Sequence, residues 1–429
     1  MFPFIWLIVA LMVIIRDIRN IWWVYIVTCM WINYDVRVGS ITLINFLSLF
    51  MILVAMIHKN KGRNVVVSDV KKPLFNVLLY IIITNIVFLF LGTGTISAGV
   101  TAMKASILSW ALFISVLFIP KGCNHKNNST IVISLLFLSL YGIYCYVTST
   151  NPYVDMISDY LSVDNNLQDL VEGSMNDSRG MLKGRITGTS MYCIQYGILL
   201  TLIMVLLLVA FPEINILIFI FVGVMAFINI YFTGSRGPLL ATIVAIFLFF
   251  SRSLPKGVRI KLLLLFILGY FVFYNIFSLN FASIANEDVK GSSFEQRVVQ
   301  LYGAYLEVSG NIQSLLFGRG PSFVNDYLQK YGMHPLALNF ESTPVYGLAT
   351  YGILGLLFVF IGTLFLLWKT SYHIFRRGLI TSNTYYVCTS LIVANFIYCS
   401  LVGSAYNNLF IFIYIMIIIN NYKKPSEVL

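Results

Sequence analysis

The sequence predicts an all-α polytopic membrane protein of about 12–13 transmembrane helices with two long loops on one side of the bilayer. Three observations predict it. The 429 residues are 59% hydrophobic and only 10% charged, with a mean hydropathy of +0.86, so a water-facing surface cannot be assembled from them. The apolar residues arrive in separate runs, most near the ~20 residues that cross a bilayer core as a helix. Lys and Arg gather in alternate connections between those runs.

In chain order the runs are 3–15, 21–33, 38–57, 73–91, 102–120, 130–149, 189–211, 214–232, 237–251, 261–281, 346–368 and 385–420. The last is too long for one crossing and splits at Gly403-Ser404-Ala405-Tyr406-Asn407-Asn408. Met1-Phe2-Pro3-Phe4 places no basic stretch ahead of the first run, so no cleavable leader is expected. Six alternating segments (16–20, 58–72, 121–129, 252–261, 369–384 and the tail) hold 18 of the 28 basic residues. That side carries only 4 of the 17 acids: Asp17, Asp69, Glu213 and Glu427. Positive charge marks the cytoplasmic side, so the net charge of +11 is a topology signal. No basic, aromatic-interleaved soluble patch accompanies it, which excludes a nucleic-acid partner.

The chain then divides into N-terminal transmembrane helices (1–149), a first outer loop (150–185), central transmembrane helices (186–281), a second outer loop (282–345), and C-terminal helices with a cytoplasmic tail (346–429). Long loops without low complexity carry function. The first is acidic through Asp155, Asp159, Asp164, Asp169, Glu172 and Asp177, then basic at Arg179, Lys183 and Arg185. Its Asp155/Asp159 and Asp169/Glu172 spacings read as a solvated helix face, with a divalent ion as the other reading. The second opens at Glu287-Asp288 and continues as an amphipathic helix. Ser293 and Gln296 have capping-box spacing there, and Val298, Leu301, Tyr302, Tyr305 and Ile312 form a face that rests on the bundle or on lipid. That helix ends near Leu315, before the turn signal Phe317-Gly318-Arg319-Gly320-Pro321. The six cysteines show no metal-ligand spacing and read as small apolar residues. Neither a disulfide framework, a metal nor a cofactor is expected.

Arg236, in Thr233-Gly234-Ser235-Arg236-Gly237-Pro238, falls between two spans at the outer boundary. An arginine there is costly unless it is paired or faces a wet cavity; the bland alternative is an anchor snorkelling to lipid phosphate. Arg185, in Gly184-Arg185-Ile186-Thr187-Gly188-Thr189, lies at a comparable depth and has the same alternative. Arg297 on the amphipathic helix reads alone as a solvated charge, and Arg319 between glycines reads either way. Converging, such guanidinium groups form a permanently charged clamp for a diphosphate that stabilises its departure without a metal. Activating a hydroxyl needs a base. Glu341 and His334 are the candidates, against a helix-start carboxylate and an ordinary surface histidine. Tyr302, Tyr305 and Phe323 offer ring faces for sugar or lipid, with plain packing as the alternative.

These motifs, continued by Leu316-Phe317-Gly318-Arg319-Gly320, Glu341-Ser342 and Tyr351-Gly352-Ile353-Leu354-Gly355, resemble over roughly 180–365 the O-antigen polymerase and ligase superfamily, the Wzy-type polymerases and their ligase relatives. The resemblance implies a glycosyltransferase of a bacterial inner (cytoplasmic) membrane, with both long loops periplasmic. Its donor would be a polyprenyl-diphosphate-linked oligosaccharide, and its product a lengthened O-antigen or related surface polysaccharide of the lipopolysaccharide type. It further implies Arg185, Arg236 and Arg297 as basic substrate contacts. The residues themselves add Arg319 as a further contact, Arg236 as a catalytic group and Glu341 or His334 as base, with membrane lipid and a chain-length regulator protein as expected partners. Ligases usually carry a His-Asn pair near the position of Glu341-Ser342. Its replacement here, with His334 displaced upstream, favours polymerase over ligase transfer to lipid A-core. A transporter for the same lipid-linked glycan would be expected to carry charge inside its spans, which are almost free of it.

Overall fold

The computed structural model describes residues 2–32, 36–38, 41–60, 69–119, 125–157, 173, 182, 184–210, 214–255, 257–258, 261, 293–403 and 406–422. Helices α1 (Phe2–Arg16), α2 (Ile21–Trp31), α3 (Leu43–Asn60), α4 (Lys71–Leu91), α5 (Ile96–Val116), α6 (His125–Thr148) and the short α7 (Pro152–Ile157) form the N-terminal part. A small antiparallel pair, β1 (Arg37–Val38) and β2 (Ile41–Thr42), joins α2 to α3. Then follow α8 (Cys193–Ala210), α9 (Ile216–Phe232) and α10 (Arg236–Phe250), and outside the spans α11 (Ser293–Ser309), α12 (Ile312–Phe317) and α13 (Phe323–Tyr331). The chain closes with α14 (Thr343–Gly355), a π-helical stretch Leu356–Gly362, α15 (Thr363–Arg376), α16 (Ser382–Leu401) and α17 (Asn407–Asn420).

Among the described residues six helices are long and apolar enough to cross a membrane: Lys71–Leu91, Ile96–Val116, Asn128–Thr148, Arg236–Ser253, Thr343–Arg376 and Ser382–Leu401. Shorter apolar helices accompany them at Pro3–Arg16, Leu43–Ile57, Cys193–Val209, Ile216–Phe232 and Asn407–Asn420. The chain is an all-α polytopic membrane protein. The span expected at 261–281 lies, beyond Lys261, outside the described residues, as do Glu287-Asp288 and the acidic run from Asp159 through Asp177.

Two helices apolar on every side occupy the middle of the bundle. Every residue of α17 from Leu409 to Asn420 is buried, and α8 is buried from Tyr196 through Leu208. A helix apolar all round can be covered on every side by its neighbours. The outer helices turn large apolar side chains outward instead, among them Ile8 and Met12 on α1, Leu217 and Phe221 on α9 and Phe358 beyond α14. In water such a surface would aggregate; in hydrocarbon it is the ordinary exterior.

The long α14–α15 unit is broken near its start. Gly352 adopts φ +69 and interrupts the helix, so carbonyls one turn earlier lose their usual donors. Another segment supplies replacements: the amides of Arg319 and Gly320 donate to the carbonyls of Ala349 (2.9 Å) and Thr350 (3.0 Å), and Thr93 N donates to the Gly318 carbonyl (3.1 Å). Backbones meet with no side chain between them. A Cβ on Gly352 would lie 2.5 Å from Gly318 N, and one on Gly318 would lie 2.2 Å from Thr350 O. Below the break, Tyr80 donates its hydroxyl to the Phe358 carbonyl (2.9 Å) in the π-helical stretch. The Gly318-Arg319-Gly320 motif is therefore a backbone clamp on a broken helix, as well as the carrier of an arginine.

The amphipathic segment is two helices rather than one. It breaks at Gly310-Asn311, where the Asn311 side chain caps α12 by accepting from Gln313 N (2.9 Å). The side chains of Ser293 and Gln296 lie outside those described. The apolar face of α11 points away from the protein: Val298, Leu301, Tyr302, Tyr305 and Leu306 are exposed, whereas Gln300, Ala304 and Val308 are buried. Of the two expected resting places, the bundle takes the other face.

Gly352→Ala is expected to cost about 1–3 kcal/mol by overpacking, with a further left-handed penalty. In detergent thermal melts it should lower Tm by several degrees. Gly223→Ala, in α9 where a Cβ meets nothing within 4 Å, should leave Tm unchanged or raise it slightly.

Candidate functional site

The connection between α7 and α8 is tied at its base by Asn151. Its amide nitrogen donates to Thr187 Oγ1 (2.8 Å) and the Gly188 carbonyl (2.9 Å), while its oxygen accepts from the Tyr141 hydroxyl (2.6 Å). Thr189 adds a bond to the Met30 carbonyl (2.7 Å). This knot holds Gly184–Ser190 against the bundle and delivers Arg185, only 7% exposed, onto the α9–α10 turn. Arg185 Nε donates to the Thr233 carbonyl (2.9 Å) and an Nη to Ser235 Oγ (3.2 Å). The turn accommodates it because Gly234 has φ +61 and no side chain; a Cβ there would lie 3.1 Å from Arg185 Nε. Ser235 opens α10 without a side-chain cap of its own, its oxygen being engaged by Arg185. The next residue is Arg236, exposed at the first position of α10.

From Arg236 the contacts continue across the α16–α17 connection. A Cβ on Gly237 would lie 2.4 Å from Val402 Cγ2, and one on Gly403 would lie 2.7 Å from the Glu341 carbonyl. Tyr406, in a left-handed conformation (φ 60), shares a hydrogen bond with Ser190 Oγ (3.0 Å). Val402, Gly403 and Tyr406 thus reach the Arg236 turn, Glu341 and the Arg185 loop respectively. Glu341 Oε2 pairs with Arg297 Nη1 at 2.9 Å, and the same nitrogen reaches Oε1 of the buried Gln300. Just before Glu341, Leu338 (φ 50) and Phe340 (φ 54) sit in left-handed backbone that L-residues rarely adopt. Burial of Phe340 among Phe323, Tyr327 and His334 holds the bend and presents Glu341 to α11.

His334 and Arg319 belong to a second cluster. His334 Nδ1 accepts from the amides of Leu336 (3.1 Å) and Ala337 (2.8 Å), and its Nε2 faces Glu307 Oε1 at 3.3 Å. Its backbone also closes a two-way bridge with Leu338. The ring therefore clamps the loop, with its lone pair occupied by two amides. Arg319 Nε donates to the Glu307 carbonyl (2.7 Å), an Nη approaches Glu307 Oε2 (3.6 Å), and the guanidinium lies 5.4 Å from the Phe323 ring centroid. Glu307 is ten residues beyond Arg297 on α11, or about 15 Å along the helix axis. The structure thus links Arg185, Arg236, Arg297 and Glu341 through one path of contacts and assigns Arg319 and His334 to a neighbouring scaffold around Glu307.

Sequence reasoning missed Gln300, Glu307, Ser190 and Tyr406 as members of these clusters. The polar softening at 403–408 was their one visible trace, read only as a break between spans. Tyr302 and Tyr305, their rings stacked at 6.5 Å, lie on the outward face of α11, and Phe323 packs inside the loop. Among the described residues no group of three or more His, Cys, Asp or Glu is arranged to hold a metal ion. The chain matches no family model and no curated protein.

Arg185→Ala strands buried acceptors and should cost about 2–3 kcal/mol, visible as a lowered Tm. Arg236→Ala removes an exposed side chain and should change stability by less than about 0.5 kcal/mol.

Proposed function

We propose that this protein is a metal-independent membrane glycosyltransferase. It extends a polyprenyl-diphosphate-linked oligosaccharide at the outer face of a bacterial cytoplasmic membrane, as the Wzy-type resemblance implies. One observation supports the reading: Arg185 bonds the turn that leads into Arg236, Arg297 pairs with Glu341, and the neighbouring residues Val402 and Gly403 lie against Gly237 and Glu341. Cations, a base and a helix N-terminus are the parts that diphosphate departure and hydroxyl activation require.

Arg236 begins a 15-residue helix, so the positive end of the macrodipole adds to its own charge. Buried Arg185 lends a second positive charge from beneath the turn, donating to the Thr233 carbonyl and Ser235 Oγ. Arg297 holds Glu341 in the unliganded protein. A donor diphosphate competes for that guanidinium and frees the carboxylate when substrate arrives. The acceptor hydroxyl oxygen then attacks the anomeric carbon, Glu341 takes its proton, and the carbon–oxygen bond to diphosphate breaks with the electron pair leaving on the phosphate. The arginines balance the charge that develops there, and Glu341 returns its proton to solvent.

The outward apolar face of α11 supports a location beside lipid, from which a polyprenyl tail would reach the diphosphate site while its sugars stay in water. His334 has its Nδ1 lone pair occupied by two amides, so the base role falls to Glu341. Arg319, committed to Glu307, positions the loop. The absent ligase-type His-Asn pair favours a second lipid-linked unit over lipid A-core as acceptor.

With purified protein and lipid-linked oligosaccharide, Glu341→Gln should lower turnover on the order of 10²–10⁴-fold while donor still binds. Arg236→Ala should abolish chain extension with the protein folded and inserted. Normal extension in both variants would refute the assignment.

A further inference from the structure

At the opposite end of the bundle lies a second site with no part in the transfer chemistry. The start of α4 and the end of α15 flank an open cavity of about 490 Å³ whose charged lining is Asp69, Lys72, Lys369 and Arg377. The helical unit from Thr343 to Arg376 spans 34 residues, roughly 50 Å of helix, so this cavity and Glu341 mark opposite faces of the membrane. Lys72, Lys369 and Arg377 oppose one carboxylate, Asp69, which forms no ion pair with them among the described residues. Three cations converging without carboxylate partners repel one another unless an anion joins them. The remaining lining mixes the polar Asn76, Thr370 and His373 with an apolar wall of Pro73, Val77 and Leu366.

Adjacent residues give the depth. Trp368 and Tyr372, both partly exposed and stacked at 6.0 Å, with Arg376 over the Tyr372 ring at 5.5 Å, form the aromatic and basic pairing typical of the headgroup level. A cationic mouth over an apolar wall at that depth fits an amphiphile better than a free ion, and 490 Å³ far exceeds a bare phosphate.

We propose that this groove between α4 and α15 binds the phosphate of an anionic lipid from the cytoplasmic leaflet. Lys72, Lys369 and Arg377 take the headgroup, and Val77 and Leu366 line the acyl chain. Basic pockets between membrane helices on that side are recognised lipid-headgroup sites. The bound lipid joins two helices whose far ends lead to the Gly92–Gly94 connection, which meets the Gly318–Gly320 clamp, and to the helix break at Gly352.

The test is a thermal melt of the full-length protein in neutral detergent, with phosphatidylglycerol, phosphatidylcholine or inorganic phosphate added. The expected result is a rise in Tm of several degrees with phosphatidylglycerol alone. It should shrink at least by half in Lys369→Gln/Arg377→Gln and in Lys72→Gln, which removes a cation from the other wall. All three residues are exposed, so both variants should melt like the parent without lipid. Equal stabilisation by phosphatidylcholine, or a shift unchanged in both variants, would overturn the proposal. An equal variant-sensitive shift with inorganic phosphate would show a free-anion site and overturn the lipid assignment. Glycan transfer is not measured, so failure here leaves the proposed activity standing.

Discussion

A bilayer supplies no water to satisfy a broken helix or an unpaired guanidinium, and the end of this protein that carries the candidate site is shaped by that requirement. The interruption of α14 at Gly352 persists because Arg319 N and Gly320 N take the orphaned carbonyls of Ala349 and Thr350. Arg185 persists under the surface because the Thr233 carbonyl and Ser235 Oγ receive it. In both places glycine makes room, and a side chain at Gly318, Gly352 or Gly234 would push the partners apart.

These local solutions are coupled through the chain. The clamp at 318–320 fixes the start of α14, hence the bend from Leu338 to Glu341 that precedes it. The His334–Glu307 contact and the aromatic burial of Phe340 hold the other side of that bend. Below, Gly237 and Gly403 bring the α16–α17 connection against both the Arg236 turn and Glu341. The same connection reaches Ser190, three residues after Thr187, through Tyr406. A candidate site of four charged side chains therefore rests on six separate stretches of sequence. The exposed surface around it is free to face lipid on one side and solvent on the other.

Much of the fold was legible from hydropathy alone. Runs such as 73–91, 214–232 and 346–368 correspond to α4, α9 and the α14–α15 unit because a span is a long-range property of composition, insensitive to packing detail. The break at 403–408 was legible for the same reason. Partnership was not legible. Whether Arg297 turns toward Glu341, 44 residues away, or toward solvent depends on how α11 is rotated. Its outward apolar face inverts the pattern of a helix packed in a soluble core. His334 and Arg319 looked equivalent to Glu341 and Arg185 in sequence, since side-chain type says nothing about which lone pair or donor is already occupied. The glycine motifs carried both a chemical and a structural reading, and only the backbone distances show how much of them the structural one requires.

The central claim is that Arg185, Arg236 and Arg297 serve one ligand. Titrating the purified protein in lipid nanodiscs with a polyprenyl diphosphate, and measuring Kd for the parent, Arg236→Gln, Arg297→Gln and the double variant, tests it most directly. The account predicts about tenfold or greater weakening in each single variant, on the scale of one charge-assisted hydrogen bond, and weaker binding still in the double. Identical Kd values across the four proteins would contradict it.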